Sequence, residues 1–152
     1  MVSLSMLFGG SASVVFAVIT LVHAAKAKGI AVSEAAAANA PVFYGFSTIL
    51  LVMGIMLLLA ESLDFARTKR ARGLTLGRYI ASALCVAATM IFSFGIVPPM
   101  KELAPLLKEN AEAKEKFDKL HHVSEMNFSA IIVLALVSLL IPAFENNSIK
   151  PE

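Results

Sequence analysis

The chain has 152 residues, 58% of them hydrophobic and only 16% charged, with a net charge of +2 and a mean hydropathy of +0.78. A soluble domain sits nearer half apolar with about a quarter charged, so this composition excludes an ordinary water-facing globular fold, and so small a net charge does not argue for nucleic acid. The sequence also carries no glycine-rich phosphate loop and no paired-cysteine metal motif.

A bilayer core needs about 20 apolar residues of helix, and four segments meet or approach that length. The expected fold is therefore an all-α membrane protein, one domain over 1–152, with spans at about 4–25, 42–63, 76–97 and 122–144. The first span starts at Leu4 and ends near Ala25. Residues 1–25 hold no Lys or Arg, whereas a cleavable signal needs a basic start and a short apolar core, so a retained helix is expected. His23 lies at the end of this span.

The second span has a start signal. Asn39 can cap, and Pro41 falls in the first turn, where a missing N–H costs little. It ends in "ESLDFARTKRARG", where Arg67, Lys69, Arg70, Arg72 and Arg78 crowd one connection against Glu61 and Asp64. Arg67 is three residues beyond Asp64, and local pairing accounts for Glu61, Asp64 and Arg67 together. Short, dense basic loops stay in the cytoplasm. This places both termini inside, an N-in/C-in arrangement, and a bacterial inner membrane is the expected location.

Tyr79 opens the third apolar run and Tyr44 the second, both as interface anchors. Cys85 is the single cysteine and reads as a small packing residue. Gly9, Ser11, Ser13, Ala81, Ala83 and Ala87 offer close helix approach. Pro98 and Pro99 are expected to stop the third span.

An amphipathic outer helix is expected at about 100–120. Leu103, Leu106, Leu107, Asn110, Ala113, Phe117 and Leu120 recur at three- and four-residue steps, one face of a helix. Glu112 with Lys116 and Glu115 with Lys119 are i,i+4 pairs in the favourable order. The stripe runs on into the fourth span, so the two can form one long helix, with Pro105 near its beginning and Pro142 near its other end. The tail "ENNSIKPE" reads as a short disordered end.

Polar chemistry gathers where the fourth span begins, in "KLHHVSEMNF". On a helix His121, Ser124 and Asn127 form one slanting ridge. His122, Glu125 and Ser129 form a second, turned by about 100°. The first ridge is expected to face the bundle and the second to point outward. Two uses of these residues stand side by side. In one, His121, Ser124 and Asn127 with Phe117 and Leu120 form a helix-packing motif, each interhelical hydrogen bond contributing about 0.6 to 2 kcal/mol. In the other, His23 approaches His121 or His122, Glu125 and Met126, with Met100 near the same level. His with Met suits copper, and His with Glu suits zinc or iron; two histidines on opposed helices can also grip a haem.

The stretch "GIVPPMKELAPLLKENAEAKEKFDKLHHVSEMN", Gly95 to Asn127, resembles the small four-span membrane proteins related to transmembrane protein 205, a family loosely similar to copper-resistance D-type membrane proteins. Pro99, Met100, Phe117, Leu120, His121, Ser124 and Asn127 carry the resemblance, which is best over residues 75–140. It implies four spans and makes His121, rather than His122, the motif histidine. The family is largely of unknown function, with metal or drug resistance implied for some members.

The expected function is that of a non-enzymatic polytopic membrane protein, an accessory or assembly subunit of a membrane complex. Its partners would be the bilayer and a membrane protein or a second copy, with no nucleic acid. No nucleophile–base pair supports catalysis, and no cofactor is called for. The alternatives are copper handling, or a haem or redox subunit built on the outer-side histidines.

Overall fold

The computed structural model describes residues 2–30, 32–68, 73–107 and 109–147. Lys69, Arg70 and Arg72 of the basic connection, and the tail beyond Asn147, lie outside the described residues. Helix α1 spans Val2–Ala27, α2 Val32–Arg67, and α3 Leu74–Met90. A π-helical segment, Ile91–Ile96, leads into α4, Val97–Leu103, and a 3₁₀ turn, Ala104–Leu106. Helix α5 spans Ala111–Asn147.

The helix ends follow from local chemistry. Helix α1 stops at Gly29, which takes a φ of 78°. Gly29 N–H donates to the Lys26 carbonyl at 3.0 Å, and Ile30 N–H to the Ala25 carbonyl at 3.1 Å. That pair of bonds is a Schellman ending, for which glycine has the required left-handed freedom. Helix α5 starts at Asn110, whose Oδ1 accepts from the backbone N–H groups of Glu112 at 2.9 Å and Ala113 at 3.1 Å. Asn110 is thus a cap, not a member of the apolar stripe.

Three boundaries differ from the sequence expectation. Helix α2 begins well before Asn39, so Pro41 lies inside it, and Asn39 Nδ2 donates to the Ala35 carbonyl at 2.8 Å. The run "SEAAAANA" has high helix propensity, which offsets the proline. Pro98 and Pro99 do not end the third span either. The π-helical segment precedes them and they fall in the first turn of α4, where a missing N–H is tolerated. The amphipathic stretch at 100–120 is mostly helical but divided. Its first part continues the third span through Leu106, and its second part, from Ala111, is the first portion of α5. The outer helix and fourth span are therefore one helix, and it continues past Pro142.

The helices form an up-down bundle. Each long helix packs on its chain neighbour, and α1 closes the ring against α5. Leu4, Leu7, Leu50, Leu57, Cys85 and Ile131 are at most 2% exposed. Phe128 is the aromatic hub, with ring centres 5.6 Å from Phe43, 6.1 Å from Phe46 and 5.2 Å from Phe92. The closest approaches are set by Gly10, whose added Cβ would lie 3.3 Å from Phe46 Cζ, and Gly54, 3.2 Å from Thr89 Cγ2. Of the small residues singled out from sequence, Ser11 and Ala81 are buried, Gly9 meets nothing, and Ser13, Ala83 and Ala87 face outward. Composition located the small residues, but helical phase decides which of them reach a neighbour.

Large apolar side chains cover the outside, among them Phe16 at 74%, Phe94 at 65% and Leu63 at 61% exposure. In water such a surface would be untenable for a lone chain. Among the described residues four helices are long and apolar enough to cross a membrane: Val2–Ala27, Ala38–Arg67, Leu74–Leu106 and Ala111–Pro142. The protein is an all-α integral membrane bundle. Its third span is half buried and its first only 11% buried, so α1 is the most peripheral wall.

Candidate functional site

Two polar clusters sit at opposite ends of the bundle. The His23 end is formed by the close of α1, the start of α2, α4 and the first half of α5. There a cavity of about 380 Å³ lies among Val15, Val18, Val22, Phe43, Phe92 and Phe128, with His23, Tyr44, Met100, His121, Ser124 and Glu125 also on its lining. Apolar residues make its body and polar groups gather on part of its wall.

Helix α5 positions most of those groups. His121 stacks on Phe117 with ring centres 6.3 Å apart and planes 9° apart. This aromatic contact, one turn earlier on the helix, fixes the imidazole against the buried Phe117 side. The His121 side chain is 37% exposed and that of His122 74%. His121 Nε2 lies 3.4 Å from Glu125 Oε1, and His122 Nδ1 lies 3.7 Å from Glu125 Oε2. Ser124 Oγ donates to the His121 carbonyl at 2.6 Å. Ser129 Oγ likewise donates to the Glu125 carbonyl at 2.8 Å. The hydroxyls on both ridges are thus satisfied within α5 rather than across helices.

The two ridges therefore separate incompletely. His121 and Ser124 line the cavity, but so do Glu125 and Ser129 of the second ridge. Asn127 is half-buried without lining the cavity, and its Oδ1 has no hydrogen-bond partner among the described residues. Leu120 packs against the core cluster. Of the candidate metal residues, His23, His121 and Glu125 reach the cavity lining, together with Met100. His122 does not, and Met126 is 63% exposed on the outside of α5. Among the described residues no three His, Cys, Asp or Glu side chains are grouped closely enough to hold one ion. Met100 and Met126 both lie at this level along the chain. The helical phase presents Met100, 6% exposed, to the cavity.

The second cluster clamps α2 to α3 at the other end. Arg78 Nη2 lies 3.2 Å from Glu61 Oε2 and pairs directly with Asp64. Tyr79 Oη donates to Asp64 Oδ2 at 2.8 Å, and Ser82 Oγ to Glu61 Oε1 at 3.2 Å. Phe65 meets the Tyr79 ring edge-on at 5.4 Å, and the Arg78 guanidinium stands 4.8 Å above the same ring. The expected local pairing of Glu61 and Asp64 with Arg67 on one helix is not what holds the two acids. The partner in the structure is Arg78 across the connection, where it serves both carboxylates at once. The available signal was two acids and one arginine at equal depth on either side of a short connection. Tyr79 is accordingly a clamp residue buried to 9% exposure as well as a span-end tyrosine.

Comparison of the chain with family models, with curated proteins and with solved structures returns no match.

Proposed function

We propose that this membrane protein is a non-enzymatic accessory or assembly subunit of a membrane complex. The observation that carries the reading is where its polar groups lie. At one end they tie α2 to α3, and at the other they line one cavity, from α1, α2 and α5. Between the ends Leu7, Leu50, Leu57, Cys85, Ile131 and Ala135 close the bundle, each at most 2% exposed, with the buried hydroxyls of Ser11, Thr89 and Ser138 set among them. A bundle closed by apolar packing supports a role exercised through other molecules rather than conduction through its own centre.

The basic run Arg67, Lys69, Arg70, Arg72 and Arg78 supports an N-in/C-in arrangement, with that connection on the cytoplasmic face of a bacterial inner membrane. Pro99, Met100, Phe117, Leu120, His121, Ser124 and Asn127 support a place beside the family related to transmembrane protein 205. A partner protein or a second copy would meet the chain within the bilayer. Co-purification of a stoichiometric partner in mild detergent tests the reading.

A second reading is metal handling, with copper favoured, or a haem-bearing subunit. His23, Met100, His121 and Glu125 on one cavity lining favour it. Metal analysis and a visible spectrum of the purified protein test this reading. Stoichiometric copper or a Soret band would displace the first reading, and their absence at full occupancy of the protein would remove the second.

A further inference from the structure

We infer that the cavity at the His23 end binds a neutral single-chain amphiphile whose head carries a carbonyl oxygen, such as a membrane quinone or a monoacylglycerol. A well-packed interior leaves few voids larger than a water molecule. A cavity of about 380 Å³ is instead within the range of small-molecule sites, about 300–1,000 Å³. Its body is aromatic and aliphatic, from Phe43, Phe92, Val97 and Phe128, and suits a hydrocarbon or prenyl chain. The wall contributed by α1 is lightly held. That helix buries Leu4, Leu7 and Ser11 and nothing further along, while Phe16 is 74% exposed and Ile19 lines the cavity.

The head chemistry follows from Tyr44. Its hydroxyl is buried yet has no hydrogen-bond partner among the described residues, and Tyr44 lines the cavity. A buried hydroxyl left without a partner is costly. A phenolic O–H that turns toward a ligand carbonyl would meet that need, with the His121 imidazole a second candidate donor. Glu125 lies against His121 and His122, and the Lys101 ammonium sits 5.5 Å from the centre of the Tyr44 ring. The lining itself carries one carboxylate, Glu125, and no Lys or Arg, so it offers nothing to hold an anionic head and suits a neutral one. This inference goes beyond the accessory role and stands whether or not a protein partner is found.

The test is native mass spectrometry of the full chain in mild detergent, titrated separately with decyl-ubiquinone, monoolein and palmitate. The expected result is a saturable 1:1 adduct with a neutral probe and a weaker one with the anionic palmitate. The stronger of the two neutral probes identifies the source. Val18→Trp, which fills the cavity from α1, should abolish the adduct. Tyr44→Phe keeps the ring and removes the donor, and should weaken binding roughly three- to tenfold, as expected for one neutral hydrogen bond. His122→Ala, outside the cavity, should leave it unchanged. The inference is overturned if neither neutral probe gives a saturable adduct, if palmitate binds as well as they do, or if Tyr44→Phe, in a protein that still melts cooperatively, binds like the native chain.

Discussion

Arg78 reaches back across the α2–α3 connection to pair with Asp64, and the same guanidinium nitrogen lies 3.2 Å from Glu61. Two acids on one helix are thereby joined to the next by a single arginine. The Arg78 and Glu61 side chains are each 17% exposed and that of Asp64 52%. Removing Arg78 would leave Glu61 with an uncompensated, largely buried charge. Arg78→Ala should cost about 2 kcal/mol, below the fully buried case because Asp64 is half in solvent. The double variant Arg78→Met with Glu61→Leu should recover much of the loss. Unfolding in detergent, followed by melting, measures both. Equal stability of Arg78→Ala and the native chain would mean that the clamp is not structural.

Helix contact at Gly54 is a steric matter. A Cβ there would come 3.2 Å from Thr89 Cγ2, so Gly54→Val should push α2 from α3 and cost roughly 1–3 kcal/mol. Gly9 has nothing within 4 Å. Gly9→Ala should be neutral, or stabilising by up to about 1 kcal/mol through helix propensity. The same melting assay ranks the two, and the reverse order would contradict the described packing of α2 on α3.

Cys85, the single cysteine, is 0% exposed, with Sγ 3.7 Å from the Ile131 carbonyl of α5. It should resist a maleimide in the folded protein and react fully once the bundle is denatured. Rapid labelling in mild detergent, with helicity retained, would show that α3 and α5 separate easily.

His121 and His122 are neighbours in sequence with different tasks. His121 stacks on Phe117 and is half as exposed as His122. His121→Ala should therefore lower stability more than His122→Ala, by on the order of 1 kcal/mol. Melting of the two variants decides it. A more damaging His122→Ala would reverse the assignment.

The long apolar runs made the four helices legible, because each demands a bilayer whatever its neighbours do. Helical period also carried Phe117, His121 and Phe128 to one side of α5. What escaped was set by context. Asn39 and Pro41 look like a helix start until the alanine-rich run before them is allowed to be helical. Pro98 and Pro99 look like a stop because a π-helical segment leaves no mark in composition. Asn110 fits the apolar stripe by spacing, yet its short amide caps α5. The Asp64–Arg78 pair crosses a connection, which a reading confined to one helix misses. The cavity was out of reach for the same reason, since four separate segments supply its walls.

The accessory role is tested most directly by the mass and composition of the protein purified under its own expression level in mild detergent. The expected particle is larger than the 16.2 kDa chain and holds a second membrane protein or further copies in fixed ratio. A stable, monodisperse particle containing one copy of this chain and no other protein would contradict it.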